Sequence, residues 1–305
     1  MIGADYGKNK GLFFIIVGGI LWGASGTCAQ ILLHDTGLST YWLTGMRLLC
    51  AGILLLIYSY LHTHQSIFTI WRSPKMASQL LIFSFIGMLP SQLAYFMAIK
   101  YGNATTGTIL QFLGPIFILL FLIIRWRLKP SRTDILSVLL AFLGTFLLVT
   151  QGNITQLALS ISAIVWGILS GLSQAFYTLL PGKLLKSYAT ELITGWAMLL
   201  GSIPFLPLLT SHAMPTFSLN SWLEIIFIIV FGTAIAYLFY LSSLNYLKPT
   251  TSSMLSAFEP LTATFLAVVF LGTPFSLVQI LGGVLIIGVT FLQALSARKP
   301  INDHS

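Results

Sequence analysis

From Leu12 to about Leu33 the chain carries no charged side chain, and runs of this kind recur along its whole length. About twenty apolar residues in helical form cross the hydrocarbon core of a bilayer, so such runs limit the possible folds more than any motif does. Apolar residues make up 56% of the 305 and charged residues only 7%, and mean hydropathy is +0.92. A water-soluble protein of this size needs a far more charged surface, so the solvent for most of this chain is lipid.

The net charge of +8 does not indicate nucleic acid, because fifteen Lys and Arg scattered over the whole length form no basic patch. Cys28 and Cys50 both sit inside apolar runs, which excludes a disulfide framework and any metal-ligand spacing. They read as two small buried hydrophobes. The Lys8/Lys10 flank followed by an apolar run has the outline of a signal peptide. That run is long enough to span, and more spans follow, so it reads as a retained first helix.

Cutting the sequence at charges, Pro/Gly and polar clusters gives ten candidate spans: 11–33, 40–61, 77–99, 103–124, 134–151, 158–180, 190–210, 221–243, 249–271 and 275–296. With the first flank placed inside, all Lys and Arg except Lys100 and Arg47 fall in cytoplasmic segments. Lys100 lies outside and Arg47 within the second span. Shifting the count by one span scrambles that asymmetry, which is the one the positive-inside rule requires. The expected fold is therefore an all-α integral membrane protein of ten transmembrane helices, with both ends on the cytoplasmic side.

The two halves of the sequence repeat one another. "LWGASGTCAQILL" (21–33) aligns with "VWGILSGLSQAFY" (165–177), "LTGMRLL" (43–49) with "ITGWAML" (193–199), and "LAYFMAI" (93–99) with "IAYLFYL" (235–241). "TTGTILQFLGP" (105–115) aligns with "TTSSMLSAFEP" (250–260), and "DILSVLLAFLGTFLL" (134–148) with "VQILGGVLIIGVTFL" (278–292). The offset stays between 142 and 150 throughout. Each half, 11–151 and 158–297, holds five spans. An odd number means that equivalent spans enter the membrane from opposite faces, which is an inverted-topology repeat. Exchanging two slightly different conformations between such halves turns an outward-open shape into an inward-open one, so the parity points to a carrier.

The Trp-Gly of the first span, the Arg-Leu-Leu of the second, the Ala-Tyr of the third and the Glu-Pro of the ninth together resemble the EamA-type drug/metabolite transporters. The resemblance covers about residues 11–297. It implies a ten-helix basket with a central substrate cavity between the repeats and transport of small metabolites, amino-acid efflux first among them. Relatives often carry Gly-Glu at the end of the ninth span, where this chain reads "LGTPF", so Thr273 replaces that acid.

A charged side chain near the bilayer centre costs about 2.5–3.5 kcal/mol, so it should face protein or water. Glu259 lies about ten residues into its span, near the midplane at ~1.5 Å per residue, and it is the one deep carboxylate of seven acids. Its repeat partner is Gly114, and the partner of Arg47 is Ala197, so each charge belongs to one half only. Three readings of Glu259 stand open: a scaffold charge that neutralises Arg47 or caps a helix, the carrier of a coupling proton, or the counter-charge of a cationic substrate. Arg47 reads either as a side chain snorkelling toward the outer interface or as the partner of a substrate carboxylate. Pro115 and Pro260, at equivalent places in the fourth and ninth spans, should kink their helices and free the carbonyls of Gln111 and Ser256. They are candidate hinges. Trp22, Trp166, Tyr95 and Tyr237 pair across the repeat, and Gln92, Gln111 and Gln174 add amides deep in their spans. Together with Glu259 they are the candidate lining of a small-metabolite pocket.

The function classes narrow accordingly. The acids and histidines form neither a cluster nor a nucleophile–base pair, so no enzyme is expected. No metal or other cofactor is expected either. The GxxxxGK[ST] loop is missing, so energy must come from a gradient of the substrate or a coupling ion. The partners expected are a small-molecule substrate, lipid and a coupling proton, but no nucleic acid. Three alternatives remain: an efflux carrier for amino acids or related compounds, an uptake carrier for a quaternary-amine-like cation, and a channel or sensor without turnover. Epitope tags placed at either end of the chain should both be protected in intact cells and become accessible after permeabilisation. Tags on opposite faces would break the odd-parity topology.

Overall fold

A computed structural model describes residues 2–63, 66–126, 131–151, 159–211, 217–247, 249–272 and 276–296. Thr273, Arg127, Lys129, Lys248, Arg298 and Lys299 lie outside these. The described residues form helices α1 (Ile2–Thr36), α2 (Thr40–Thr63), α3 (Pro74–Ile82), α4 (Leu89–Tyr101), α5 (Ala104–Gln111), α6 (Gly114–Trp126), α7 (Arg132–Thr150) and α8 (Ile161–Leu179). These are followed by α9 (Thr190–Ser202), α10 (Leu206–Ser211), α11 (Leu219–Ile229), α12 (Ala236–Ser243), α13 (Pro249–Leu255), α14 (Phe258–Leu271) and α15 (Leu277–Ser296). Among the described residues, eight helical runs are long and apolar enough to cross a membrane, and 135–147 in α7 and 277–289 in α15 are shorter apolar stretches.

Polarity is turned inside out. Phe13, Ile57, Phe142, Leu223, Phe265 and Val284 lie exposed on the outside, while Arg47, Gln92, Gln111, Gln174 and Glu259 are buried. In lipid the apolar side chains gain nothing by turning inward, whereas every polar group loses its partners unless protein supplies them.

Helix packing is reciprocal between the halves. The helices α2 and α9 pack on each other, as do α7 and α15. The helix α1 packs on α11, α12 and α14, and α8 packs on α4, α5 and α6. Glycine makes these close approaches possible in matching places. A Cβ at Gly23 of α1 would lie 2.8 Å from Thr262 Cβ and 2.9 Å from the Ala263 nitrogen of α14. One at Gly167 of α8 would lie 2.7 Å from Leu110 Cβ of α5.

Each half departs from the α-helix within its third span, though not at aligned positions, because the pairing of 93–99 with 235–241 sets 83–88 against 225–230. Phe83–Met88, between α3 and α4, and Val230–Ile235, between α11 and α12, are both π-helices of 6 residues. Each contains a glycine, Gly87 or Gly232, that faces the first helix of the other half, at Tyr177 or Ser25. The fourth and ninth spans are each interrupted, by turns at 112–113 between α5 and α6 and at 256–257 between α13 and α14. A kink was expected there, but the chain instead ends one helix and begins another. Pro115 and Pro260 stand in the first turn of the new helix, where a missing N–H leaves no hydrogen bond unmade. The Ser256 carbonyl is not bare either, because it accepts the Glu259 N–H at 2.9 Å.

Gly23→Ala should lower stability in detergent by about 1–3 kcal/mol through overpacking. Gly288→Ala, the same change where a Cβ meets nothing within 4 Å, should leave it unchanged or raise it slightly. Paired melting curves of the two variants check this.

Candidate functional site

The helix break explains how a carboxylate comes to lie deep in the protein. Glu259 falls in the first turn of α14 and is 4% exposed. There the positive end of the helix dipole favours an anion. The equivalent break in the first half has Gly114 instead, and a Cβ there would lie 3.2 Å from Gln174 Cγ. Gln174 occupies the space that a side chain at 114 would need.

Arg47 is 2% exposed and does not snorkel. Its Nε donates to Thr233 Oγ1 at 2.8 Å, and its guanidinium lies 3.8 Å from the centre of the Phe96 ring. Thr233 sits in the second π-helix and donates its own proton to the Ile228 carbonyl at 2.7 Å. That donation leaves the Oγ1 lone pairs for Arg47, which can only donate. Its Nη1 is buried without a partner. Neutralisation by Glu259, one of the readings left open, is not seen, since no ion pair joins the two among the described residues. The reason is geometric: Arg47 is held by the π-helix and Phe96, while Glu259 is fixed to the start of α14.

A cluster of rings lies near both charges. Trp22 meets Tyr237 edge-on at 4.6 Å and Tyr240 at 5.0 Å. Tyr177 meets the same two rings at 5.3 and 5.5 Å. The Tyr240 hydroxyl and Thr178 Oγ1 share a hydrogen bond of 2.7 Å, with Gln174 and Ser253 beside it. Tyr95 stands edge-on to Phe96 at 5.1 Å, with its hydroxyl against Gly26. Both Arg47 and Glu259 are electrostatic neighbours of Tyr95 and of Tyr237.

Of the residues singled out in the sequence, Trp22, Tyr95, Gln174, Tyr237 and Glu259 come together with Arg47. Gln92, 1% exposed, sits one turn before Tyr95 on α4. Gln111 is engaged as a tie between helices, its Oε1 accepting from Ser170 Oγ at 2.7 Å. Trp166 does not join the cluster. It is half-buried in an apolar groove of about 470 Å3 beside Phe85, Leu89, Leu93 and Phe176. Repeat equivalence with Trp22 fixed its depth but not the face of the helix it occupies.

Tyr177, Tyr240, Phe96 and Thr233 were not singled out. Tyr177 closes the aligned "VWGILSGLSQAFY", and Thr233 follows the glycine of "FGT". A search for polar residues present in one half alone would have found Tyr177, which aligns with Leu33, but not Thr233, which aligns with Ser91.

The centre has unmet hydrogen-bonding capacity. Trp22 Nε1, Ser25 Oγ, Arg47 Nη1, Gln92 Oε1, Tyr95 OH and Tyr177 OH are all buried and unpartnered. Buried polar atoms normally find partners, so these six mark an interior built to receive polar groups. A separate cleft of about 520 Å3 opens where α1 and α4 end, lined by Gln30, His34, Asp35 and Lys100.

Residues 9–150 and 161–294 match the EamA-like transporter family. An uncharacterized inner membrane transporter, YicL, of Salmonella typhimurium is 36% identical over 293 residues, covering 95% of this chain and 97% of that protein. An uncharacterized transporter of Bacillus subtilis, YxxF, is 27% identical over 285 residues, covering 92% and 88%. A solved crystal structure with 16% sequence identity superposes with a TM-score of 0.68 over 96% of this chain and 99% of that one.

Thr233→Val removes the acceptor for Arg47 Nε at nearly constant shape. It should cost about 1.5–3 kcal/mol of stability, the usual worth of a hydrogen bond to a charged group. Thr233→Ser keeps the hydroxyl and should melt close to the parent protein.

Proposed function

This chain belongs to the EamA-like transporter family and is a multi-pass membrane transporter, and we propose that it is a secondary carrier of a small metabolite working by alternating access. The proposed topology is ten spans in two inverted halves, 11–151 and 158–297, with both ends in the cytoplasm. The observation that carries the mechanism is the reciprocal packing: α1 lies on the third and fourth spans of the other half, and α8 does the same in return. A π-helix in the third span and a helix break in the fourth give each half its points of flexure. Two halves built alike can exchange conformations, which moves the opening from one face to the other.

The proposed membrane is the cytoplasmic one, in keeping with the inner-membrane designation of the Salmonella relative. The proposed activity is efflux of amino acids or related compounds. The polar centre supports a solute that makes several hydrogen bonds while resting its apolar part on rings. Uptake of a cation is the second reading, favoured by Glu259 lying within electrostatic reach of Tyr95, Tyr237 and Tyr240.

Proteoliposomes preloaded with unlabelled solute should show counterflow: transient accumulation of labelled solute that saturates with concentration. Flux that rises linearly without saturation would mean a pore and sink the carrier.

A further inference from the structure

We propose that Arg47 and Glu259 form a two-point clamp that holds the carboxylate and the ammonium of one zwitterionic solute. The clamp rests on the carrier reading above and assigns recognition to named side chains. Arg47 and Glu259 are 2% and 4% exposed, so neither has bulk water to solvate it. Two opposite buried charges should pair, because each left alone keeps a desolvation cost of several kcal/mol. Here they do not touch. Arg47 is drawn away by Thr233 and Phe96, and Glu259 is part of the first turn of α14.

The open valences fit a ligand of complementary charge. Nε of Arg47 is occupied and Nη1 is free, so the guanidinium offers a donor edge suited to a carboxylate. Glu259 accepts only, and suits an ammonium with three donors. Tyr95 and Tyr237 are neighbours to both charges, and the unpartnered Tyr95 hydroxyl can bond to either end of the solute. Trp22 and Tyr240 supply an apolar wall for the remainder. A solute with both charges compensates both buried groups at once. A solute with one charge leaves the other group stranded. Recognition is therefore by exclusion, and its size is set by the unpaired partner.

The test uses the full chain in detergent and in proteoliposomes, with the common L-α-amino acids as probes. Each is first scored for thermal stabilisation. For the best one, its decarboxylated amine and its deaminated acid are then compared. At least one amino acid should stabilise the protein and undergo counterflow, and both analogues should bind about 10- to 100-fold more weakly. Variants should give a crossed pattern. Arg47→Gln should reduce binding of the amino acid to that of its amine, with amine binding unchanged. Glu259→Gln should reduce it to that of the acid, with acid binding unchanged.

Stabilisation by none of the amino acids, or equal binding of an analogue, overturns the clamp. Equal weakening of all three ligands by both variants does so as well, since that is a structural effect. The analogue series on the parent protein decides the matter even if a variant does not fold. Counterflow of a singly charged solute without amino-acid binding would remove the clamp and keep the carrier. The crossed pattern without counterflow would keep the clamp and remove the carrier.

Discussion

Everything in this fold follows from a solvent that offers no hydrogen bond. In hydrocarbon a backbone amide must be satisfied by its own helix, and a side-chain hydroxyl by whatever lies nearest. The threonines show the second rule. Thr27, Thr44 and Thr178 each donate to the carbonyl four residues earlier, at 3.1, 2.8 and 2.8 Å. Such local bonds let polar residues pass through the membrane singly. Groups too large or too charged for that treatment turn toward the protein centre, and there they meet.

Most of the scaffold was legible in the sequence because lipid imposes length and charge bias, and both are read along one dimension. What was not legible depends on rotation about a helix axis. Arg47 at its depth has a snorkelling route on one face and a binding partner on another, and only the position of Thr233 decides between them. Trp22 and Trp166 share a place in the repeat but not a neighbourhood. The prolines marked the interruptions of the fourth and ninth spans correctly, yet a kink and a fresh helix start share one sequence signature. The π-helices left no trace beyond a glycine apiece.

The two halves are alike in frame and unlike in chemistry. Glycine contacts, helix interruptions and π-helices come in pairs, whereas Glu259 faces Gly114 across the repeat and Arg47 faces Ala197. Gln174, in the space beside Gly114, shows that the absence of a second acid is built in rather than incidental. A frame with twofold pseudosymmetry suits motion, which must be equally possible in both directions. A solute with distinct ends needs the opposite, a site that differs from one side to the other.

A π-turn contains one residue more than the α-turn it replaces. Both third helices carry that surplus, and in both the nearby glycine lies against the opposite half. Helices bend where such a turn interrupts the regular ladder, so each half keeps slack in the very span that lies against the first helix of the other.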